Sequence, residues 1–282
     1  MEGLRKVVNS LGRIPEIRPD FKEIFSILKN QPSISEDQLS KRINEIDGLA
    51  DFIINLSNNK YINKAGEITS ICGALKFMGT PAIENLILFF MTKKLFPIKT
   101  ESNRAFDSES FWKHCLGTSA AGMILAKRNN YPEPQRIFTY GLIHDIGISV
   151  LNYCEPEYLD RVITHIKNGL EMSDAEKAVL KGLNHELIGA WFCQKTGVNE
   201  NIANVVQYHH TPFIPKGNAD EHEILYLADL ISSEYYYTLL GISQDQKFYD
   251  KFEPFNYATK KDVMEVSLML PKEVEKLQKD FI

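Results

Sequence analysis

The chain has 282 residues, with 32 basic and 37 acidic side chains and a formal net charge of −5 at pH 7; that balance excludes a general nucleic-acid coat, which needs a cationic surface. With 44 % apolar and 11 % aromatic residues, the composition is that of a packed globular protein and not of a disordered one. The longest unbroken apolar stretch, Leu86 to Met91, is followed closely by Lys93 and Lys94 and falls far short of the roughly 20 residues that span a bilayer.

The amino terminus, Met1 to Lys6, carries an acid and no continuous apolar segment. It does not read as a secretory signal, so a cytoplasmic location is expected. Apolar residues then return at helical spacing, first as Phe21, Ile24, Phe25 and Leu28 and late in the chain as Ile224, Leu225, Ala228 and Ile231. Ser35 with Gln38 and Ser173 with Glu176 have the spacing of capping boxes, and Thr80-Pro81 sets proline in a first helical turn. No alternating strand pattern is present, so the expected fold class is all-α, a multi-helix bundle. Polar or proline-bearing connections fall near 97–108, 127–136, 211–222 and 241–258. The cysteines at 72, 115, 154 and 193 contain no CxxC pair, which excludes a zinc ribbon and a dense disulfide framework and leaves them as small core hydrophobes.

All seven histidines follow the first of these connections. Residues 1–100 are therefore read as an N-terminal helical lobe, 101–240 as the lobe that carries chemistry and 241–282 as a C-terminal helical tail. The second lobe offers His114, His144-Asp145, His185, His209-His210 and Asp229 in order. The intervals between them put each group on a different helix, so a site forms only where helices converge in a bundle core. His114, His144 and His185 each have a glycine one turn on, at 117, 147 and 189. Those glycines either leave room beside the imidazoles or admit close helix packing. Asp145 and Asp229 lie in apolar runs, where a carboxylate needs a cation or strong donors. His209-His210 precedes Thr211-Pro212 and also suits the negative end of a helix dipole. Imidazoles and carboxylates without a thiolate favour a first-row divalent metal: Fe, Mn, Zn, Ni or Co. Five histidines and two aspartates exceed the needs of one tetrahedral ion, so a binuclear site with a bridging aspartate fits the set.

The order of these residues resembles the HD superfamily of metal-dependent phosphohydrolases, and the framing text resembles its HDOD branch. The landmarks are Ile14-Pro15, Asp47-Gly48-Leu49 leading to Leu56-Ser57-Asn58, Ile71 to Gly79 (ICGALKFMG), Phe111-Trp112-Lys113-His114, Gly141-Leu142-Ile143-His144-Asp145-Ile146-Gly147, His209-His210-Thr211-Pro212 and Leu227-Ala228-Asp229. The resemblance implies an HDOD-like bundle used in bacteria as an output or scaffold element in signalling. Catalytic relatives of HD-GYP type carry a lysine directly after the HDxG glycine, where this chain has Ile148, and a GYP-containing segment after the paired histidines, where it has Thr-Pro-Phe-Ile-Pro. They often supply a glutamate one turn before the first histidine, a position held here by Ser110.

Two functions follow from that resemblance. One is a regulatory HDOD domain that binds metal and acts through a signalling protein or nucleotide partner. The alternative is a metal-dependent phosphohydrolase, a phosphodiesterase or phosphomonoesterase, in which His114, His144, Asp145 and Asp229 hold a main ion, His185, His209 and His210 hold a second, and Asp145 is the catalytic residue. A third reading takes Ser33 to Asn59 as a helix-turn-helix, but Lys41 and Arg42 are outnumbered there by Glu36, Asp37, Glu45, Asp47 and Asp51, and phosphate contact wants clustered cations. Neither a nucleic-acid polymer nor a membrane is expected as partner. Tyr235-Tyr236-Tyr237 and Phe248, Tyr249 and Phe252 read as packing or a homo-oligomer contact, Trp112 and Trp191 as helix packing, and His165 and His222 fit no spacing.

Overall fold

The computed structural model describes residues 14–30, 34–97, 104–180, 182–213, 218–239, 241 and 255–281. They form α1 (Pro19–Asn30), α2 (Glu36–Asn44), α3 (Leu49–Ser57), α4 (Ile71–Met78), α5 (Thr80–Leu95), α6 (Ser108–Arg128), α7 (Pro134–Ile143), α8 (Ile146–Cys154), α9 (Pro156–Lys167), α10 (Met172–Leu180), α11 (His185–Thr196), α12 (Glu200–Tyr208), α13 (Ala219–Leu239) and α14 (Lys260–Phe281). Among the described residues there is no strand, and the fold is all-α.

Local chemistry sets the first elements. Ser35 caps α2, its hydroxyl accepting from the Gln38 amide at 3.3 Å. Gly48 enters α3 at φ 74° and Gly79 separates α4 from α5 at φ 80°, conformations that a residue with a Cβ resists. Helices α4 and α5 meet at 116°, with Pro81 in the first turn of α5. The Leu86 to Met91 stretch lies in α5, where Leu86, Ile87, Leu88, Phe89 and Met91 are all buried because α1, α3, α4 and α7 pack around it. No single helix among the described residues is long and apolar enough to cross a membrane.

The long helix α6 is the axis of the molecule, with α7, α13 and α14 packed along it. Its middle, Gly117 to Gly122, is built of small residues, and these let backbones approach closely. A Cβ at Gly141 of α7 would lie 2.6 Å from the Ser119 Cα, and one at Gly117 would press 3.3 Å from the Ser232 Cβ of α13. At the crossing of α8 and α11, a Cβ on Gly147 would come 2.8 Å from the Gly189 amide nitrogen and closer still to the His185 carbonyl oxygen. The glycines that follow the histidines thus serve close helix packing, and the space beside the imidazoles comes from elsewhere.

Helix α14 buries Val263, Val266, Leu270, Val274 and Leu277, and one apolar cluster runs from Ile14 to Leu277. Cys115, Cys154 and Cys193 are buried as expected, whereas Cys72 is partly exposed, with its thiol 3.5 Å from Asp37 Oδ1. Ser173 and Glu176 are no capping box, because Ser173 already lies inside α10. Phe248, Tyr249 and Phe252 lie outside the described residues.

Candidate metal centre

The seven sequence-predicted residues converge from five places in the chain. His114 and Asp229 project from the middles of α6 and α13, and His185 is the first residue of α11. The other four occupy helix junctions and not helix faces. His144 and Asp145 form the break between α7 and α8, where the His144 amide still bonds back to the Tyr140 carbonyl at 2.9 Å before the chain turns. His209 caps α12, and His210 follows it. All except His210 are buried.

Their donor atoms fall into two sets that share one carboxylate. In the first, His114 Nε2 lies 3.3 Å from His144 Nε2, 3.4 Å from Asp145 Oδ2 and 3.2 Å from Asp229 Oδ1. His144 Nε2 is 3.4 Å and 3.3 Å from the same two oxygens. In the second, His185 Nε2 lies 3.2 Å from Asp145 Oδ1, 3.3 Å from His209 Nε2 and 3.2 Å from His210 Nε2, and His209 Nε2 is 3.3 Å from Asp145 Oδ1. Polyhedron edges of this length place a centre about 2 Å from each vertex, the length of a bond from a divalent first-row metal to nitrogen or oxygen.

Hydrogen bonds on the far side of the rings settle which nitrogen carries the proton. His144 Nδ1 donates to the Gly141 carbonyl at 2.9 Å and His209 Nδ1 to the Val206 carbonyl at 2.7 Å. His185 Nδ1 faces both oxygens of Glu176 at 2.9 and 3.0 Å, and His210 Nδ1 faces Asp229 Oδ2 at 3.1 Å. A carbonyl or carboxylate accepts only, so in the neutral ring Nε2 is left as a bare lone pair. Four such lone pairs point inward, and Asp145 Oδ1 is buried without a hydrogen-bond partner. Lone pairs crowded in this way repel one another unless protons or a metal ion lie between them, so the donor set of the neutral rings fits divalent metal. Three overlapping groups, His114/His144/Asp229, His144/Asp145/His209 and His185/His209/His210, have the geometry to hold an ion.

Residues 14–212, well over half of the chain, match the HDOD domain. The chain belongs to the HDOD domain family. An HDOD domain protein of unknown function from Geobacter sulfurreducens has the same fold, with a TM-score of 0.73 at 19 % identity over 100 % of this chain and 98 % of that one. A candidate phosphohydrolase from Shewanella amazonensis SB2B gives 0.66 at 17 % identity over 98 % of each chain. A candidate signal transduction protein from Marinobacter aquaeolei VT8 gives 0.66 at 18 % identity over 98 % of this chain and 64 % of that one. Comparison with curated proteins returns no match.

The electrostatics of this HDOD domain follow from burying imidazoles and carboxylates together. Burial opposes charge on His144, yet the Asp145 and Asp229 carboxylates outweigh it and raise its pKa to about 10. His185 is likewise raised to about 10 by Glu176 and Asp145 against burial. His209 has the opposite fate: burial and the adjacent His210 push it down to about 3. Burial also opposes ionisation of Asp145 and Asp229, but the surrounding imidazoles hold both well below the usual carboxylate range.

A cavity of about 440 Å³ opens onto the donors, reaching His114, Asp145, His185, His210 and Asp229. Its walls include Phe111, Ile148, Tyr236 and Tyr237, and its rim carries Glu171, Asp174 and Glu186. From the run Tyr235-Tyr236-Tyr237, Tyr236 thus packs its ring 5.3 Å from that of His114, a placement at the donors beyond plain helix packing. Glu176 was legible in the sequence only as a helix cap; its real signal is an acid on the buried side of α10 beside Ala175 and Leu180. Ser110 stands outside the donor sets, with its hydroxyl donating to Asp107 Oδ2 at 2.5 Å. His165 lies half-buried in α9 and His222 buried in the first turn of α13. Trp112 packs edge-on against Phe89 at 5.4 Å, and Trp191 lies 5.1 Å from Lys195.

Proposed function

We propose that this HDOD domain is a metal-dependent phosphohydrolase with two divalent ions, drawn from iron, manganese, zinc, nickel and cobalt. The observation that carries this reading is Asp145, whose two oxygens are divided between the two donor sets at the foot of an open cavity. His114, His144, Asp229 and Asp145 Oδ2 would hold one ion, and His185, His209, His210 and Asp145 Oδ1 the other. Bound divalent ions supply Lewis acidity toward water and toward the phosphoryl oxygens.

The chain's own residues prepare that chemistry. Glu176 keeps the proton of His185 on Nδ1 and thereby aims Nε2 inward. Asp229 does the same for the exposed His210. Burial raises the phenol pKa of Tyr236 and Tyr237, so both stay protonated at neutral pH as hydrogen-bond donors beside the donor sets. Phe111 and Ile148 give the cavity an apolar lining beside His114 and Asp145.

One observation favours the second reading, a regulatory domain that binds without turnover. Neither lysine nor arginine lines the cavity among the described residues, and its rim is acidic, a poor reception for a phosphate dianion. The test is elemental analysis of manganese- or iron-loaded protein together with hydrolysis of bis(p-nitrophenyl) phosphate and p-nitrophenyl phosphate. The expected result is two ions per chain and turnover that falls at least about 100-fold in Asp145→Ala. Two ions without turnover of either ester would leave the regulatory reading standing; turnover unchanged in Asp145→Ala would sink the hydrolase.

A further inference from the structure

A second, larger cavity lies on the opposite flank of α6, between the α3–α4 connection and α14. Its volume is about 1080 Å³, slightly above the usual range of small-molecule sites. None of the seven His/Asp residues lines it. Its charge runs against the character of the chain, which is acidic overall. Lys60, Lys64, Lys127 and Lys276 converge on it, with Glu273 as the sole acid on its walls. Glu273 is matched by Lys276 at 2.7 Å. Lys60, Lys64 and Lys127 are exposed at its edge, and among the described residues no carboxylate forms a salt bridge with them.

Three ammonium groups that no described carboxylate matches, around one cavity, can together receive phosphate oxygens. Lys127 reaches the surface, yet partial burial and the Lys64 charge beside it disfavour its charged form, a cost that an anion relieves. Apolar side chains lie beside the lysines: Ile124 of α6, one turn before Lys127, and Met269 of α14, with Met123 buried beneath the α6 surface. Methionine side chains adapt to flat aromatic partners. Met269 is 42 % exposed, more than packing on the core alone would leave. Asn55 and Asn58 also line the cavity and bring amide groups to it.

We infer that this cavity binds a nucleoside polyphosphate, with phosphates on Lys60, Lys64 and Lys127 and the base against Ile124 and Met269. An inorganic polyphosphate has the charge but nothing for these apolar side chains, and a nucleoside has the ring but nothing for the lysines. The site shares α6 with His114 yet needs none of the His/Asp donors, so it stands whether or not the hydrolase reading does.

The experiment is calorimetric titration of the full chain, without added metal, with ATP, GTP, tripolyphosphate and adenosine. Asp145→Ala separates this site from phosphate capture at the His/Asp centre. Expected is binding of ATP or GTP that survives Asp145→Ala, weakens about tenfold or more in Lys64→Ala and in Lys127→Ala, and declines with salt. Tripolyphosphate should bind more weakly and adenosine not measurably. Lys64→Ala and Lys127→Ala change exposed side chains, so a circular dichroism melt matching wild type confirms that the loss is not one of folding. Absence of binding by the wild-type chain, equal affinity for ATP and tripolyphosphate, or binding lost in Asp145→Ala but kept in both lysine variants would overturn the inference.

Discussion

At the scale of single residues, the donor atoms are set by partners behind them. His144 and His209 are oriented by backbone carbonyls of their own helical turns, so their tautomers come with the local fold. His185 is different, because its partner Glu176 arrives from α10 and is itself buried. Glu176→Gln keeps the shape and an acceptor but removes the charge that raises the His185 pKa. Loss of such an outer partner typically lowers metal affinity by about 10- to 100-fold. We expect a competition titration against a zinc chelator to show one ion weakened by that amount and the other near wild type; two unaffected ions would remove Glu176 from the account.

At the scale of elements, glycine contacts decide which helices can meet. The approach of α8 to α11 at Gly147 and Gly189 brings Asp145 and His185, one on each side of the crossing, to 3.2 Å. Gly147→Ala places a methyl group against the His185 carbonyl, and overpacking of this kind costs about 1–3 kcal/mol or more. A melting temperature lowered by several degrees is expected, together with selective loss of the ion bound through His185. The periodic apolar positions of α1 and α13 were readable beforehand because a helical face is a property of neighbouring residues. Glu176 was not, because a helix cap and a buried acid have the same letter and nearly the same local spacing.

At the scale of the whole molecule, the centre ties five segments together, so its occupancy should report on global stability. In the metal-free chain, His144 and His185 have pKa values raised to about 10. The stability they contribute is present in full below the unfolded value near 6.5 and is lost as pH rises toward 10. Metal and protons compete for the same Nε2 atoms, so metal affinity rises over the same window. The difference in melting temperature between metal-loaded and chelator-treated protein should therefore be larger at pH 8.5 than at pH 6. A difference that is flat or shrinks with pH would show that these imidazoles are not the groups that exchange protons for metal.

The amino-acid sequence alone determined the all-α class, since a period of 3.6 residues is written into local spacing. It also determined the identity of the seven His and Asp side chains at the centre, because their types and order are themselves the motif. Only the tertiary structure decided that Asp145 divides its oxygens between two donor sets, that Glu176 stands behind His185, and that lysines from the α3–α4 connection, α6 and α14 share a cavity. Those relations are distances between helices far apart in the chain, and they depend on how closely particular backbones approach, at Gly141, Gly147 and Gly189 above all. Spacing along one helix carries no record of that approach.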